Sequence, residues 1–202
     1  MVTAQNFPLP RSLNGLSLEV NGQAVPLTAV TPWQINGQLP QTVPSGMATF
    51  QVRDPNGATV QPASEPIVSY LPMNFYFPYA RGHLFYSQAA ALHAGTGIVA
   101  DMDHPAMAGE TLEVYGVGLG VTDPMVDAGL PSPFSPPARS VQTPHVQIAG
   151  RDATVTFAGL VPGLAGVYQV NVVVPAGIPP GLQTLSWFVA GNPVSYSSVA
   201  VK

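Results

Sequence analysis

The sequence predicts an all-β protein made of two related β-sandwich domains. Three observations predict this fold: an internal repeat, apolar residues that alternate with a period of two, and almost no helical periodicity. The only segment with helical propensity, residues 87–93, is too short to form a stable isolated helix and is equally compatible with a strand. The 202 residues leave room for two domains of roughly 100 residues, each with its own core.

The repeat relates residues 17–57 to residues 145–192. At an offset of 128, Leu-Glu-Val-Asn-Gly at 18–22 matches Val-Gln-Ile-Ala-Gly at 146–150. After a seven-residue insertion in the second copy the offset becomes 135, and Gln-Ile-Asn at 34–36 then matches Gln-Val-Asn at 169–171. Because the apolar alternation stays in register, we expect the same strands in both copies.

Individual elements follow from local patterns. Strands are predicted where apolar residues alternate, at residues 16–20, 49–53, 146–148 and 155–157. Residues 169–174 are rich in β-branched side chains and predict a central strand, which Pro175 ends. Five glycines are predicted at tight turns or at close approaches of the backbone: Gly22, Gly116, Gly118, Gly120 and Gly150.

Three segments are predicted along the chain. Residues 1–72 form a sandwich, residues 73–107 an ordered connector, and residues 108–202 a complete second sandwich. The connector is predicted to be structured because a free linker does not keep so many aromatic residues exposed. Six prolines between residues 123 and 144 predict a long extended loop inside the second sandwich.

The amino-acid composition excludes several kinds of partner and site. The net charge is −4 with only six cationic residues, so no basic stripe is available to bind nucleic acid. Cysteine is absent, which excludes disulfides, thiolate metal sites and a cysteine nucleophile. No apolar run approaches the roughly 18 residues of a membrane span. The first residues lack the pattern of a signal peptide, so we expect any export signal to lie upstream or to have been removed.

Residues 109–120, Gly-Glu-Thr-Leu-Glu-Val-Tyr-Gly-Val-Gly-Leu-Gly, resemble the opening strand pair of IPT/TIG-type immunoglobulin-like domains. Taken with further motifs in the same order, the chain resembles the Solibacter-type C-terminal domain family of secreted acidobacterial proteins; these motifs lie at residues 10–15, 34–36, 88–92, 157–163, 169–171 and 199–202. The resemblance implies a tandem of immunoglobulin-like sandwiches at the end of an exported protein. It implies no catalytic residues.

The first copy lacks a counterpart to the opening strand of the second. Only residues 1–10 precede the matching position in the first copy, whereas the second copy begins with the strand and turn of residues 109–120. Two alternatives remain open: the chain is a fragment of a longer polypeptide, or a neighbouring strand fills the vacant edge. The second alternative predicts self-association through an open β-edge.

One short segment of the sequence contains several potential metal ligands. Asp101, Asp103 and His104 form the densest set of potential ligands for calcium or a transition metal. The set lacks the glycine-centred spacing of an EF-hand, and His104 precedes a proline. We therefore expect a solvated turn and no bound metal or other cofactor.

The sequence contains residue types found in hydrolytic sites but lacks the motifs of those sites. Ser87, His93 and Asp101 contain the residue types of a triad, but no Gly-x-Ser-x-Gly motif surrounds any serine. Glu110 and Glu113 are expected to be solvent-facing charges of a turn and a strand rather than the opposed carboxylates of a glycosidase. The glycines of residues 116–120 are not followed by a helix that would hold a phosphate. His83, His93 and His145 are expected to be structural.

Aromatic residues are the remaining candidates for ligand binding. Such rings stack on sugars and also fill small β-cores, and packing is favoured for the connector residues Phe75, Tyr76, Tyr79, Phe85 and Tyr86. Trp33 is expected in a core and Trp187 at an edge. The sequence thus favours a non-catalytic structural or interaction module, secreted or at the cell surface, whose partner is a protein. The alternative is a module that binds a glycan or another cell-surface ligand through the connector aromatics.

Overall fold

The computed structural model describes residues 1–60, 62–81, 84–190 and 196–202, with side chains described except at residues 77–81, 84 and 85. These residues form strands and no helix, which confirms the all-β prediction. None of the described residues belongs to a helix that is long and apolar enough to cross a membrane. The chain divides into two compact units, residues 1–69 with 123–138 and 161–166, and residues 70–122 with 139–160 and 167–202.

The first unit contains two small antiparallel sheets. One has the strand order β1-β4-β5 and the other the order β3-β2-β6-β7. The strands are β1 (Val2–Thr3), β2 (Ser17–Val20), β3 (Gln23–Ala24), β4 (Leu27–Val30), β5 (Ile35–Gly37), β6 (Gly46–Arg53) and β7 (Ala63–Ile67). Alternating side chains of these strands form a buried cluster of Val20, Val25, Leu27, Val30 and Ala48.

The second unit is built from longer strands. They are β8 (Met73–Asn74), β9 (Tyr76–Arg81), β10 (Leu84–Ala89), β11 (Ala91–His93), β12 (Thr111–Val117), β13 (Thr122–Asp123), β14 (Arg139–Ser140), β15 (His145–Ile148), β16 (Arg151–Leu160), β17 (Tyr168–Val173), β18 (Gly181–Phe188) and β19 (Ser197–Val201). Their order is β11-β12-β17-β16-β15-β18-β19-β10-β9, with β8 on β12 and β14 on β16. Strand β16 pairs with β15 at residues 151–153 and with β17 from Thr154 to Leu160. A bulge interrupts the second pairing between Val155 and Phe157. The sheets are consistent with a β-sandwich.

The two copies of the repeat share strand register. Strands β2, β4, β5, β6 and β7 correspond to β15, β16, β17, β18 and β19. Val30 pairs with Ile35 in the first copy as Ala158 pairs with Val170 in the second, and the bulge between Leu27 and Ala29 recurs between Val155 and Phe157. Register is determined by which side chains face the core, so the shared alternation has produced the same pairing twice.

The hairpin turn of the repeat also recurs. Asn21 and Gly22 take φ values of +51° and +78°, and Ala149 and Gly150 take +53° and +72°. Two successive left-handed residues are typical of the tight turn whose twist matches that of paired strands. Gly22 and Gly150 therefore lie in equivalent turns.

Residues 73–107, predicted as an ordered connector, contribute strands to the sheets of the second unit. Strands β8 and β11 pair with β12, and β10 pairs with β19, so this segment extends the sheets of the second unit. Conversely, much of the proline-rich loop, residues 123–138, belongs to the first unit. The physical reason is backbone pairing: the edges of β12 and β19 offer hydrogen-bonding groups that the aromatic segment satisfies.

Candidate functional site

The most distinctive surface of the described structure is the outer edge of β5 together with the turn that precedes it, residues 33–37, here called the β5 edge. In the second unit, β17 pairs with β16 on one side and with β12 on the other. In the first unit, β5 pairs with β4, and no strand of the described residues pairs with its other side. Strand β1 lies on the opposite edge of β4 and does not pair with β5.

A tight turn positions Trp33 beside this edge. The backbone N–H of Thr31 donates to the carbonyl of Gln34 at 2.8 Å, and the N–H of Trp33 donates to the Thr31 hydroxyl at 3.2 Å. The indole of Trp33 is 93% exposed. The expectation of a core Trp33 and an edge Trp187 is wrong on both counts, because Trp187 is 0% exposed on the inner strand β18. Trp33 lies in a turn outside the strands, whereas every second residue of a strand, such as Trp187 on β18, faces the core.

The β5 edge presents backbone groups to which no second strand in the described part of the chain is paired. In antiparallel pairing, successive residues alternate between facing the partner strand and facing away. Because the N–H of Thr31 donates to the carbonyl of Gln34, the alternation directs the N–H and C=O groups of Ile35 away from β4. The backbone groups of Gly37, two residues later, point to the same side as those of Ile35. Asn36 and Gly37 are exposed and Ile35 is half-buried.

Hydrogen bonds of Gln38 mark the end of the β5 edge. At its end, the Gln38 side chain accepts a hydrogen bond from the N–H of Gly129 at 2.8 Å, and the N–H of Gln38 donates to the carbonyl of Pro26. Residues 33–38 contain no charged residue and no proline. The outer strand β7 differs, since it contains Glu65 and Pro66, two residue types that discourage edge pairing. The β5 edge therefore lacks the charged residues and prolines that protect many edge strands.

The connector aromatics are only partly described. Phe75 and Tyr76 are 40% and 55% exposed, so both present ring surface to solvent. Tyr86 lies on β10 and is half-buried. Tyr79 and Phe85 lie on β9 and β10, and their side chains are outside the described part of the structure, as is the whole of His83. Solvent-accessible ring surface is thus documented for Phe75 and Tyr76.

Residues 101–104 form a hydrogen-bonded turn. One carboxylate oxygen of Asp101 accepts the backbone N–H groups of Asp103 and His104, both at 2.9 Å, and lies 3.3 Å from Nδ1 of His104. Burial raises the pKa of Asp101, but these hydrogen bonds outweigh it and lower the pKa overall. Among the described residues, no group of three acidic or histidine side chains is arranged to hold a metal ion.

His93 and Glu110 form a polar pair that the sequence did not reveal. Nδ1 of His93 contacts the Glu110 carboxylate, and Nε2 lies 2.9 Å from the carbonyl oxygen of His104. The second Glu110 oxygen accepts the N–H of Met107 at 2.9 Å. Both partners of the ring are acceptors, so both ring nitrogens donate and the imidazolium form is favoured. Glu110 is therefore not simply the solvent-facing charge that was expected.

The pKa values of this pair move in opposite directions. Burial lowers the pKa of His93, but the hydrogen bonds to Glu110 and the His104 carbonyl outweigh it, and the net pKa is raised. Burial raises the pKa of Glu110, but the hydrogen bonds from His93 and Met107 give a net lowering. Because both His93 nitrogens have these partners, neither is available to activate Ser87.

The remaining predicted residues form hydrogen bonds within the sheets or lie at close backbone approaches and turns. Glu113 lies on β12 and accepts a hydrogen bond from the Tyr115 hydroxyl at 3.2 Å, and His145 pairs with Asp152 at 2.8 Å. Gly116 and Gly118 lie where residues 71–74 approach β12 closely. A Cβ on Gly116 would lie 2.2 Å from the carbonyl oxygen of Met73, and one on Gly118 would lie 1.9 Å from that of Leu71. Gly120 has φ of +82° in the segment after β12.

Known proteins show little similarity to this chain. No family model matches the chain, and no curated protein matches it. One solved structure with some similarity is SGBP-B of the mixed-linkage glucan utilization locus of Bacteroides ovatus, in complex with a mixed-linkage heptasaccharide. The identity is 14% and the TM-score 0.32, and the alignment covers 95% of this chain and 39% of that one.

Proposed function

We propose that the chain is a non-catalytic interaction module, made of two related immunoglobulin-like sandwiches of the IPT/TIG type and acting outside the cell or at its surface. The repeated register and the repeated bulge support two copies of one sandwich design. The polar side chains considered for catalysis support a structural role, because His93, Asp101 and Glu110 bind one another's segments within one unit.

The observation that carries the proposal is the β5 edge. It combines backbone donors and acceptors that pair with no other strand of the described residues, no charge, and an indole that is 93% exposed. Exposed tryptophan beside unpaired strand groups favours contact with another polypeptide, because backbone groups give hydrogen bonds while the ring gives apolar area. Assembly through this edge is the function that the geometry supports best.

Sedimentation velocity over a wide range of protein concentration tests this proposal. We expect the wild-type chain to associate as its concentration rises. We expect Asn36→Lys to suppress association, because it places a charge on the exposed side of the β5 edge. Ser64→Lys is the matched control, since it adds the same charge to an exposed position of β7. A wild-type chain that stays monomeric at every concentration, or equal effects of the two lysines, would contradict assembly through β5.

A second candidate function is the binding of a surface glycan. It is favoured by the exposed rings of Phe75 and Tyr76, because aromatic faces stack on sugar rings. Glycan-array binding of the wild-type chain and of Tyr76→Ala tests it, with Tyr196→Ala as a control for loss of another exposed tyrosine. Binding that is lost only with Tyr76→Ala would support this candidate, and binding unaffected by it would contradict it.

A further inference from the structure

We propose that the β5 edge accepts a free extended segment with the alternating pattern of β12, added as an antiparallel strand in the register that β12 has on β17. This inference rests on the proposed function and names the partner of the same site. The partner is a polypeptide segment of about seven residues in which apolar side chains alternate with polar or aromatic ones.

The internal repeat identifies the occupant. Strand β5 corresponds to β17, and β17 has β12 on the side where β5 has no strand among the described residues. In the second unit, Tyr115, Val114 and Glu113 lie opposite Gln169, Val170 and Asn171. The matching positions of the first unit are Gln34, Ile35 and Asn36. An added strand would therefore place an apolar residue like Val114 opposite Ile35.

Burial differs between the units in the way that a missing strand predicts. Val146, Val170, Leu185 and Trp187 of the second unit are each at most 1% exposed. Their counterparts Leu18, Ile35, Phe50 and Val52 are all only half-buried. Apolar surface that the second unit covers completely thus remains partly exposed in the first, and covering it is favourable.

The covering side chains can be assigned from β12. Gly116 lies against Trp187, so β12 passes over β18, the counterpart of β6. Along β12, Leu112 and Val114 are buried, and Thr111, Glu113 and Tyr115 are half-buried. A segment bound at β5 in this register would direct its own Leu112-like and Val114-like residues toward Phe50 and Val52. The intervening residues can be polar.

The experiment uses a synthetic peptide with the sequence of residues 110–120 and the full chain. We expect the peptide to slow amide hydrogen exchange at Ile35 and Gly37 at least tenfold, because their outward N–H groups become paired. The matched control peptide carries aspartate in place of Leu112 and Val114, and we expect it to give no protection. A peptide that fails to bind, or that binds without protecting Ile35 and Gly37, would overturn the inference.

The two proposals fail separately. If the wild-type chain associates and Asn36→Lys abolishes that association, but the peptide neither protects Ile35 nor competes with association, the edge is an interface whose partner is not a β12-like strand. If the peptide protects Ile35 and Gly37 although the chain stays monomeric, the strand-addition site is supported and self-assembly is refuted.

Discussion

Replacing Gly118 with alanine tests the close approach that joins residues 71–74 to β12. Gly118 has φ of +83°, and a Cβ there would lie 1.9 Å from the carbonyl oxygen of Leu71. The same segment is held by a hydrogen bond from the N–H of Leu71 to the carbonyl of Gly118 at 3.1 Å and by the pairing of β8 with β12. The added methyl group cannot fit unless residues 71–74 move away.

The magnitude follows from two terms. An alanine in the left-handed region costs about 1–2 kcal/mol relative to glycine. Moving residues 71–74 removes backbone hydrogen bonds that contribute about 1 kcal/mol each. We expect Gly118→Ala to lower the free energy of unfolding by about 3 kcal/mol. Gly150→Ala is the control: Gly150 also has positive φ, at +72°, but nothing lies within 4 Å of its Cβ position, so only the first term applies.

Urea denaturation monitored by tryptophan fluorescence measures both variants. Trp187 is buried and contacts the Gly116 position, so its emission reports unfolding of the second unit. Trp33 is exposed and its emission should change little. Equal losses of stability for Gly118→Ala and Gly150→Ala would show that residues 71–74 do not pack against β12, and the reasoning would be refuted.

Three further outcomes are expected. The raised pKa of His93 means that its stabilising contribution is fully present below its ordinary pKa of 6.5 and is lost as pH rises through the raised value, whereas the contribution of Glu110 is present above 4.5 and is lost as pH falls through its lowered pKa. The loss of urea midpoint in His93→Gln should therefore shrink toward alkaline pH, and a pH-independent loss would contradict the pairing. Chelation of divalent metal ions should leave the melting temperature unchanged, because the Asp101 carboxylate already accepts hydrogen bonds from backbone N–H groups. A rise of several degrees with micromolar calcium or zinc would contradict this expectation. Acrylamide should quench one tryptophan population, Trp33, and leave Trp187 protected; two equally quenched populations would contradict the assigned exposures.

Local patterns were sufficient to predict several of the strands and the repeat. Alternation of apolar residues predicts a strand without knowledge of its partner, because side chains of a strand face opposite sides of a sheet in turn. The corresponding turns at Gly22 and Gly150 follow from the same local reasoning, since two left-handed residues connect paired strands with the correct twist. The all-β class and the shared register of the two copies were therefore encoded in short stretches of sequence.

The composition of the candidate site was decided by tertiary structure. Trp33 was expected in a core and Trp187 at an edge, yet Trp33 lies in a turn and Trp187 on a strand between two others. The motif Thr-Pro-Trp-Gln was the one local signal, since proline before Trp33 favours a turn. Likewise, nothing local indicates that Glu110 contacts His93, because the contact depends on the path of residues 94–109.

The missing strand shows the same division between sequence and structure. The absence of a β12 counterpart before Leu16 was visible in the repeat alignment, but which edge it leaves open depends on the pairing of the whole sheet. Residues 1–10 were available to cover β5, and the structure places β1 on β4 instead. Sequence determines which segments form strands because that property is local, and tertiary structure decides which edges remain free because every edge is defined by its neighbours.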